Sequence, residues 1–180
     1  MPRLAALCLA LCLAAPAAGA GMIDDFTDTR AGDWRFFTDQ VMGGVSTGAA
    51  RLETSGDRRA LHLTGTVSTE NRGGFIQARK DLPDGLPAGT EAITLTARGN
   101  DTRYFLHIRT RGTVLPWQYY QAPFEVTGDW RDITVPLSAF ERSGRLLGAE
   151  VTPESIRSIA VVAYGRDHAA DLWVARIGTR

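Results

Sequence analysis

The sequence predicts an all-β chain folded as a β-sandwich, and three observations carry that prediction. From Gly21 onward, apolar residues recur at every second position in short runs, the spacing that gives a strand one apolar face. Glycine, proline, aspartate and asparagine separate these runs, and nowhere do ten residues keep a helical period. About eleven such runs in one chain favour two packed sheets.

The apolar runs place the predicted strands in order along the chain. They cover residues 22–26, 34–38, 49–54, 60–67, 74–80, 91–98, 103–111, 117–126, 129–136, 155–164 and 171–177. Turn-forming residues separate them, for example Pro83-Asp84-Gly85 and Gly128-Asp129, because these residue types favour chain reversal. Residues 137–140 and 153–156 each predict one helical turn, and residues 141–152 predict a long loop.

The first twenty residues predict a cleaved signal peptide. Arg3 precedes an apolar run over residues 4–13, and Ala18-Gly19-Ala20 matches a cleavage site. The run is too short to span a bilayer, and Leu11 before Cys12 disfavours the alternative of a lipoprotein signal. We therefore expect cleavage after Ala20, a single β-sandwich domain over residues 21–180, and a periplasmic or secreted protein without a membrane span.

Composition excludes several classes of function. Both cysteines, Cys8 and Cys12, lie in the predicted signal peptide, so thiol chemistry and cysteine-rich zinc sites are not expected in the mature domain. The chain holds 20 basic and 20 acidic residues and no sustained basic run. Nucleic-acid binding needs a clustered positive face, so no nucleic-acid partner is predicted.

No cofactor or metal is predicted either. The histidines stand alone in sequence, without the paired spacing of a metal motif, and His62, between two leucines, is expected to be exposed. A weaker alternative is a calcium site formed by Asp24, Asp25 and Asp171 across the first and last strands, although no compact ligand loop supports it.

Two glycine pairs mark the loops around which the chain is organised. Each pair precedes a strand-like segment, and paired glycines occur where φ is positive or where another backbone or a ligand approaches closely. We expect the two loops to meet at one end of the domain and to bond to each other or to a partner. Tight structural turns are the alternative interpretation. The candidate partner-binding residues in these loops are Asp39, Met42, Gly43, Gly44, Ser46, Glu70, Asn71, Gly73 and Gly74.

Two patterns in these loops resemble catalytic motifs of enzymes. Residues 44–48 match the G-x-S-x-G serine nucleophile, but a strand-like segment follows where a helix is required. Asp39 and Glu70 are the one carboxylate pair that could act on a glycosidic bond. We expect them instead to accept backbone N–H bonds within the loops, so no catalytic residue is predicted.

Alternation within the strands predicts a polar outer face on one sheet. Tyr104, Leu106 and Ile108 are expected to point into the core, opposite Phe105 and the polar residues of the same strand. Aromatic, amide and arginine side chains on one face are typical of sandwiches that hold sugars, whereas a merely solvated face is the alternative. The candidate binding residues on this face are Gln77, Arg79, His107, Arg109, Tyr119 and Gln121.

Four segments together resemble the complex I intermediate-associated protein 30 family. They are residues 39–46 (DQVMGGVS), 65–75 (GTVSTENRGGF), 119–124 (YYQAPF) and 130–137 (WRDITVPL), and the resemblance spans about residues 23–177. It implies a galactose-binding-like jelly-roll β-sandwich related in shape to carbohydrate-binding modules. Mitochondrial members are non-enzymatic assembly factors for the respiratory NADH:ubiquinone oxidoreductase, and the family supplies no catalytic residue.

The predicted export signal departs from the mitochondrial members, which act on the matrix side. The sequence therefore predicts a non-catalytic module that binds a protein in the cell envelope, such as a subunit of a respiratory complex, and assists its assembly. A carbohydrate-binding module that uses the sheet face is the alternative, and a polysaccharide-active enzyme is a remote one.

Overall fold

The computed structural model describes residues 21–30 and 32–180. The predicted signal peptide, residues 1–20, lies outside the described residues. Within those residues, no helix has both the length and the apolar character needed to cross a membrane.

Across the described residues, twelve strands form two antiparallel sheets, as predicted for a β-sandwich. The first sheet has the order β3-β4-β12-β6-β9, with β1 paired to β12, and the second has the order β10-β8-β7-β11-β5-β2. The strands are β1 (Met22–Asp24), β2 (Arg35–Thr38), β3 (Thr47–Ser55), β4 (Arg58–Val67), β5 (Phe75–Asp81), β6 (Ala92–Gly99), β7 (Arg103–Thr110), β8 (Tyr120–Glu125), β9 (Arg131–Pro136), β10 (Glu141–Arg142), β11 (Ile156–Tyr164) and β12 (His168–Thr179).

All eleven predicted strands are present with shifted ends, and the differences have local causes. The short strand β10 was missed, because two polar residues carry no alternation and it forms only by pairing with β8. Single 3-10 turns occur at Leu137–Ala139 and Pro153–Ser155, as predicted. Two further 3-10 turns, Asp39–Met42 and Glu70–Arg72, occupy the glycine-pair loops.

The core lies between the two sheets and follows the predicted alternation. In β7, Tyr104, Leu106 and Ile108 are fully buried, whereas Phe105 and Arg109 on the outer side are half-exposed. Burial of such side chains contributes the main driving force for packing the sheets. The sequence therefore predicted the register of this strand correctly, and with it the side chains available to a ligand.

Asp24 supports the packing of β1 and does not join Asp171 in a calcium site. Its carboxylate is buried, accepts a bond from Trp34 Nε1 at 2.9 Å, and pairs with Lys80 Nζ at 3.0 Å. Asp171 instead bonds to His62 Nε2 at 2.9 Å. Among the described residues, no three His, Cys, Asp or Glu side chains are placed to share a metal ion.

Candidate functional site

The two glycine-pair loops meet around one buried carboxylate. Asp39 is fully buried and accepts bonds from Ser46 N at 3.0 Å, Ser46 Oγ at 2.5 Å, Gly74 N at 2.6 Å and Phe75 N at 3.3 Å. Burial raises the pKa of Asp39, but these donors together outweigh it and hold the pKa below its ordinary value. The predicted structural role of Asp39 is confirmed. We call residues 39–46 and 68–75 the loop junction.

Two requirements explain the glycine pairs: the Asp39 carboxylate leaves no room for a side chain, and two of the positions have a positive φ. Gly43 and Gly74 have φ of +90° and +126°, a region that favours glycine. A Cβ on Gly44 would lie 2.3 Å from Asp39 Cγ, and a Cβ on Gly73 would lie 2.4 Å from Asp39 Oδ2. Each pair thus combines one conformational glycine with one glycine that makes room for the acid.

We expect alanine at any of these four glycines to lower the free energy of unfolding by about 1 kcal/mol or more, measured by urea denaturation. Gly43→Ala and Gly74→Ala strain the backbone, whereas Gly44→Ala and Gly73→Ala push against Asp39. Gly144→Ala is the matched control, because its added Cβ meets nothing within 4 Å. Unchanged unfolding in all four variants would show that the junction does not depend on these glycines.

Ser46 belongs to the interior of the junction. Its side chain is fully buried, donates to Asp39, and accepts a bond from Ser68 N at 3.0 Å. Asp39 and Ser46 therefore hold the loops together and cannot touch a partner while the loops stay closed. Glu70 is exposed in the second loop, and its carboxylate accepts no backbone N–H bond among the described residues. The predicted structural role is therefore wrong for Glu70, because its side chain points to solvent.

The outer tip of the junction is apolar. The exposed fraction is 73% for Val41, 60% for Met42 and 41% for Val45. In the opposite loop, Asn71 and Arg72 have φ of 56° and 61°, conformations that cost energy in non-glycine residues. The first loop therefore presents exposed apolar side chains, and the second loop holds two non-glycine residues with positive φ.

The second sheet carries the other predicted site on its outer face, which we call the groove face. Register places Gln77 and Arg79 opposite Val162 and Ala160, and the same two β11 residues face Phe105 and His107. His107 in turn faces Gln121 across the β7–β8 pair. The groove face consists of Arg35, Phe37, Phe75, Gln77, Arg79, Phe105, His107, Arg109, Tyr119, Gln121, Ser158, Ala160, Val162 and Tyr164. All six predicted face residues lie together on it.

An aromatic cluster occupies the middle of the groove face. The His107 and Tyr119 rings stack with centroids 4.2 Å apart, and Tyr164 meets His107 edge-on at 5.5 Å. The Tyr119 hydroxyl donates to the Tyr164 hydroxyl at 3.2 Å. Because Tyr119 covers it, His107 is only 7% exposed although it points outward. Burial lowers the pKa of His107 to about 3, against a smaller opposing effect of the Gln121 amide.

Three buried polar atoms on the groove face have no hydrogen-bond partner among the described residues. They are Arg79 Nε, His107 Nε2 and Gln121 Oε1. Buried polar atoms are almost always bonded, because an unmet donor or acceptor costs roughly 1–3 kcal/mol. Two further buried atoms without a partner, Arg98 Nε and His168 Nε2, lie outside the groove face, so this feature is not confined to it.

Two depressions flank the aromatic cluster. One, of about 580 Å³, extends from Phe105 and Tyr164 to Arg103 and Arg166. The other, of about 420 Å³, is lined by Arg79, Asp81, Arg109, Thr110, Arg111, Thr113, Arg157 and Ser158. Phe105 and Arg109 lie four residues apart in β7, or about 13 Å, so the groove face is longer than one sugar ring.

The outer face of the first sheet carries a second cluster of aromatic and charged side chains. His62 stacks on Trp173 at 3.6 Å and bonds to both Glu53 and Asp171. The guanidinium of Arg98 lies 5.3 Å from the Trp173 ring centroid. The expectation that His62 is exposed is wrong, because its side chain is only 17% exposed beneath this network.

Sequence reasoning missed Phe37 and Tyr164 as residues of the groove face. Arg79 stacks on Phe37 at 4.5 Å, and Tyr164 completes the aromatic cluster. Period-two counting within residues 34–38 places Phe37 on the same side as Arg35 and could have found it. Tyr164 was hidden because β11 is buried on both sides over most of its length and reads as a continuous apolar run.

A family model described as complex I intermediate-associated protein 30 matches residues 25–172. No curated protein matches the sequence.

Solved structures show the same fold. The family 11 carbohydrate-binding module of a cellulosomal cellulase of Clostridium thermocellum superposes with a TM-score of 0.72 at 19% identity, covering 91% of this chain and 95% of that one. The same kind of module from that organism, solved with a β-1,3-1,4-mixed-linked tetrasaccharide, gives 0.72 at 18% identity, covering 91% and 96%. An agarase gives 0.61 at 13% identity, where 90% of this chain covers 25% of the enzyme. The jelly-roll β-sandwich is thereby established.

Proposed function

The chain belongs to the complex I intermediate-associated protein 30 family, and from this fold we propose that it is a non-catalytic binding module that holds a carbohydrate on the groove face. The observation that carries the proposal is the aromatic cluster on the groove face, where Tyr119 stacks on His107 at 4.2 Å and the Phe105 and Tyr164 rings lie 5.7 Å apart. This proposal puts a carbohydrate first, whereas the sequence alone favoured a protein of the cell envelope as the partner.

Carbohydrates fit this face because a sugar ring offers both kinds of contact at once. Its C–H face packs on aromatic rings, and its hydroxyl groups both donate and accept hydrogen bonds. Arg79 and Gln121 lie three strands apart in the order β8-β7-β11-β5, or about 14 Å, so separate hydroxyl groups of a longer glycan would contact them. The mixed-linked tetrasaccharide named for the Clostridium module supports this ligand class.

A non-catalytic role is supported by the positions of the two candidate carboxylates. Asp39 is enclosed by four donors and Glu70 is exposed. A pair for glycoside cleavage must approach the scissile bond from two sides, and an enclosed Asp39 does not reach solvent. We further propose that the module acts in the periplasm or outside the cell, after removal of residues 1–20.

Titration calorimetry with β-1,3-1,4-mixed-linked, cellulose-derived and agarose-derived oligosaccharides tests the proposal. We expect at least one of them to bind, and Tyr119→Ala and Phe105→Ala to weaken that binding by about tenfold or more, as loss of an aromatic contact predicts. Trp130→Ala is the matched control, since Trp130 is a half-exposed ring outside the groove face. Binding that survives both groove variants, or no binding at all, would reject the proposal.

The exposed tip of the loop junction favours a second candidate function, the binding of an envelope protein such as a respiratory-complex subunit. Val41, Met42 and Val45 form an exposed apolar group, and contiguous apolar surface is a common feature of protein docking sites. Affinity capture from native envelopes separates the two candidates. Loss of a specific protein with Val41→Ser and Met42→Ser, but not with Tyr119→Ala, would favour the protein partner.

A further inference from the structure

The two ends of the groove face differ in charge. The depression beside Phe105 and Tyr164 is balanced, because Arg103 and Arg166 lie there with Asp101 and Glu125, and Arg103 Nε pairs with Glu125 Oε1 at 2.8 Å.

The opposite depression is strongly basic. Four arginines line it, namely Arg79, Arg109, Arg111 and Arg157, against one acid, Asp81. Asp81 is already engaged, because its carboxylate oxygen lies 2.5 Å from Arg35 Nη2 outside the lining. The positive charge of this end is therefore largely uncompensated by the protein.

Arg79 is the most constrained of the four arginines. Its side chain is 21% exposed, its guanidinium stacks 4.5 Å from the Phe37 centroid, and its nearest carboxylate oxygen, on Asp81, is 3.9 Å away. Burial lowers the pKa of Arg79, the charge of Asp81 opposes this effect, and the charges of Arg35 and Arg109 act in the same direction as burial. A guanidinium that is held against an aromatic ring is pre-organised to receive an acceptor.

The neighbouring arginines converge on the same space from different elements. Arg109 in β7 is fixed by a bond from Nη2 to Leu115 O at 2.8 Å. Arg157 lies in the irregular step of β11 between Ile156 and Ser158, where the pairing with β7 shifts register. That bulge is what allows a side chain next to the core residue Ile156 to line the depression.

We propose that the ligand is an acidic glycan whose carboxylate or sulfate group is bound by Arg79, Arg109 and Arg157, while its sugar rings extend over the His107–Tyr119 stack. The inference rests on the proposed function and deepens it by naming the ligand class. An oxyanion accepts from several guanidinium N–H groups at once, and a recessed cluster of like charges attracts it more strongly than isolated surface arginines do. The depression beside Phe105 and Tyr164, whose positive and negative charges are balanced, then binds neutral sugar rings of the glycan.

The test compares three probes by titration calorimetry with the chain over residues 21–180. They are a linear oligouronate, a sulfated galactan oligosaccharide and a neutral oligosaccharide of matched length. We expect one acidic probe to bind at least tenfold more tightly than the neutral one, and that difference to shrink when NaCl is raised from about 0.05 to about 0.5 M. The two acidic probes separate a carboxylate ligand from a sulfate ligand.

The double variant Arg109→Ala with Arg157→Ala is expected to remove most of the preference for the acidic probe, so that the acidic and neutral probes bind with similar affinity. Arg51→Ala with Arg176→Ala is the matched control, since it removes the same charge from exposed positions on the first sheet. Arg109→Lys with Arg157→Lys keeps the charge and the fold but loses the guanidinium fork, so an intermediate loss supports the inference even if the alanine variant unfolds.

Each remaining outcome overturns the inference. Equal affinity for acidic and neutral probes would refute it and leave the proposed function standing, whereas no binding of any probe would refute both. An equal loss of acidic-probe binding in the control variant would mean that general charge attraction, not the basic depression, holds the probe.

Discussion

Replacing Asp39 by alanine is expected to lower the free energy of unfolding by about 3 kcal/mol or more. The substitution removes one acceptor and leaves three backbone N–H groups and the Ser46 hydroxyl without their partner. Because these groups come from both loops, the loss acts on the whole junction. Equilibrium urea denaturation measures the change.

The control for this variant is Glu70→Ala, which changes an exposed acid in the opposite loop. It should stay within about 0.5 kcal/mol of the parent, as surface positions do. An Asp39→Ala protein that unfolds at the parental urea concentration would mean that water replaces the carboxylate without cost.

The same carboxylate gives the stability a predictable dependence on acid. Since the pKa of Asp39 is held below its ordinary value of 3.8, the unfolded chain binds the proton more readily than the folded one. The stabilisation is therefore complete above about pH 3.8 and is lost as the pH falls through the folded pKa. Asp39→Asn should flatten that part of the acid unfolding profile, to which Asp24 also contributes.

Truncation of the inward side chains of β7 is the second large effect. Leu106→Ala or Ile108→Ala should each cost about 2–5 kcal/mol, because both side chains are fully buried and alanine leaves a cavity between the sheets. Thermal and urea unfolding measure the loss, and a change of that size is a large part of a marginal stability.

Arg109→Ala is the matched variant on the same strand, one residue beyond Ile108 and on the opposite side. It should cost about 0.5–1.5 kcal/mol, because the bond from Arg109 Nη2 to Leu115 O is lost, and it should weaken the binding of an acidic ligand to the groove face. Unfolding of this variant to the same extent as Ile108→Ala would contradict the assignment of the two sides of β7.

The loop junction and the groove face are mechanically connected. Phe75 is the first residue of β5, and its N–H donates to Asp39. The same strand then carries Gln77 and Arg79 toward the basic depression. Asp39 thus fixes the start of a strand whose outward side chains form the proposed binding surface, so a loosened junction should also weaken ligand binding.

The sequence by itself determined the strands and their two sides. Side chains alternate with period two in any strand, so counting within residues 103–111 was enough to separate Leu106 and Ile108 from His107 and Arg109. The glycine pairs were likewise visible as positions with a special backbone or a close approach. Neither inference needed knowledge of which strands are neighbours.

Only the tertiary structure decided what those glycines approach and where the charges gather. Asp39 contacts Gly74, 35 residues away in sequence, and nothing local in residues 39–46 specifies that contact. Arg79, Arg109 and Arg157 lie on three strands whose adjacency follows from the order β7-β11-β5. Pairing order depends on the collective packing of both sheets, which is why a single strand's sequence predicts its own faces but not the neighbours that complete a site.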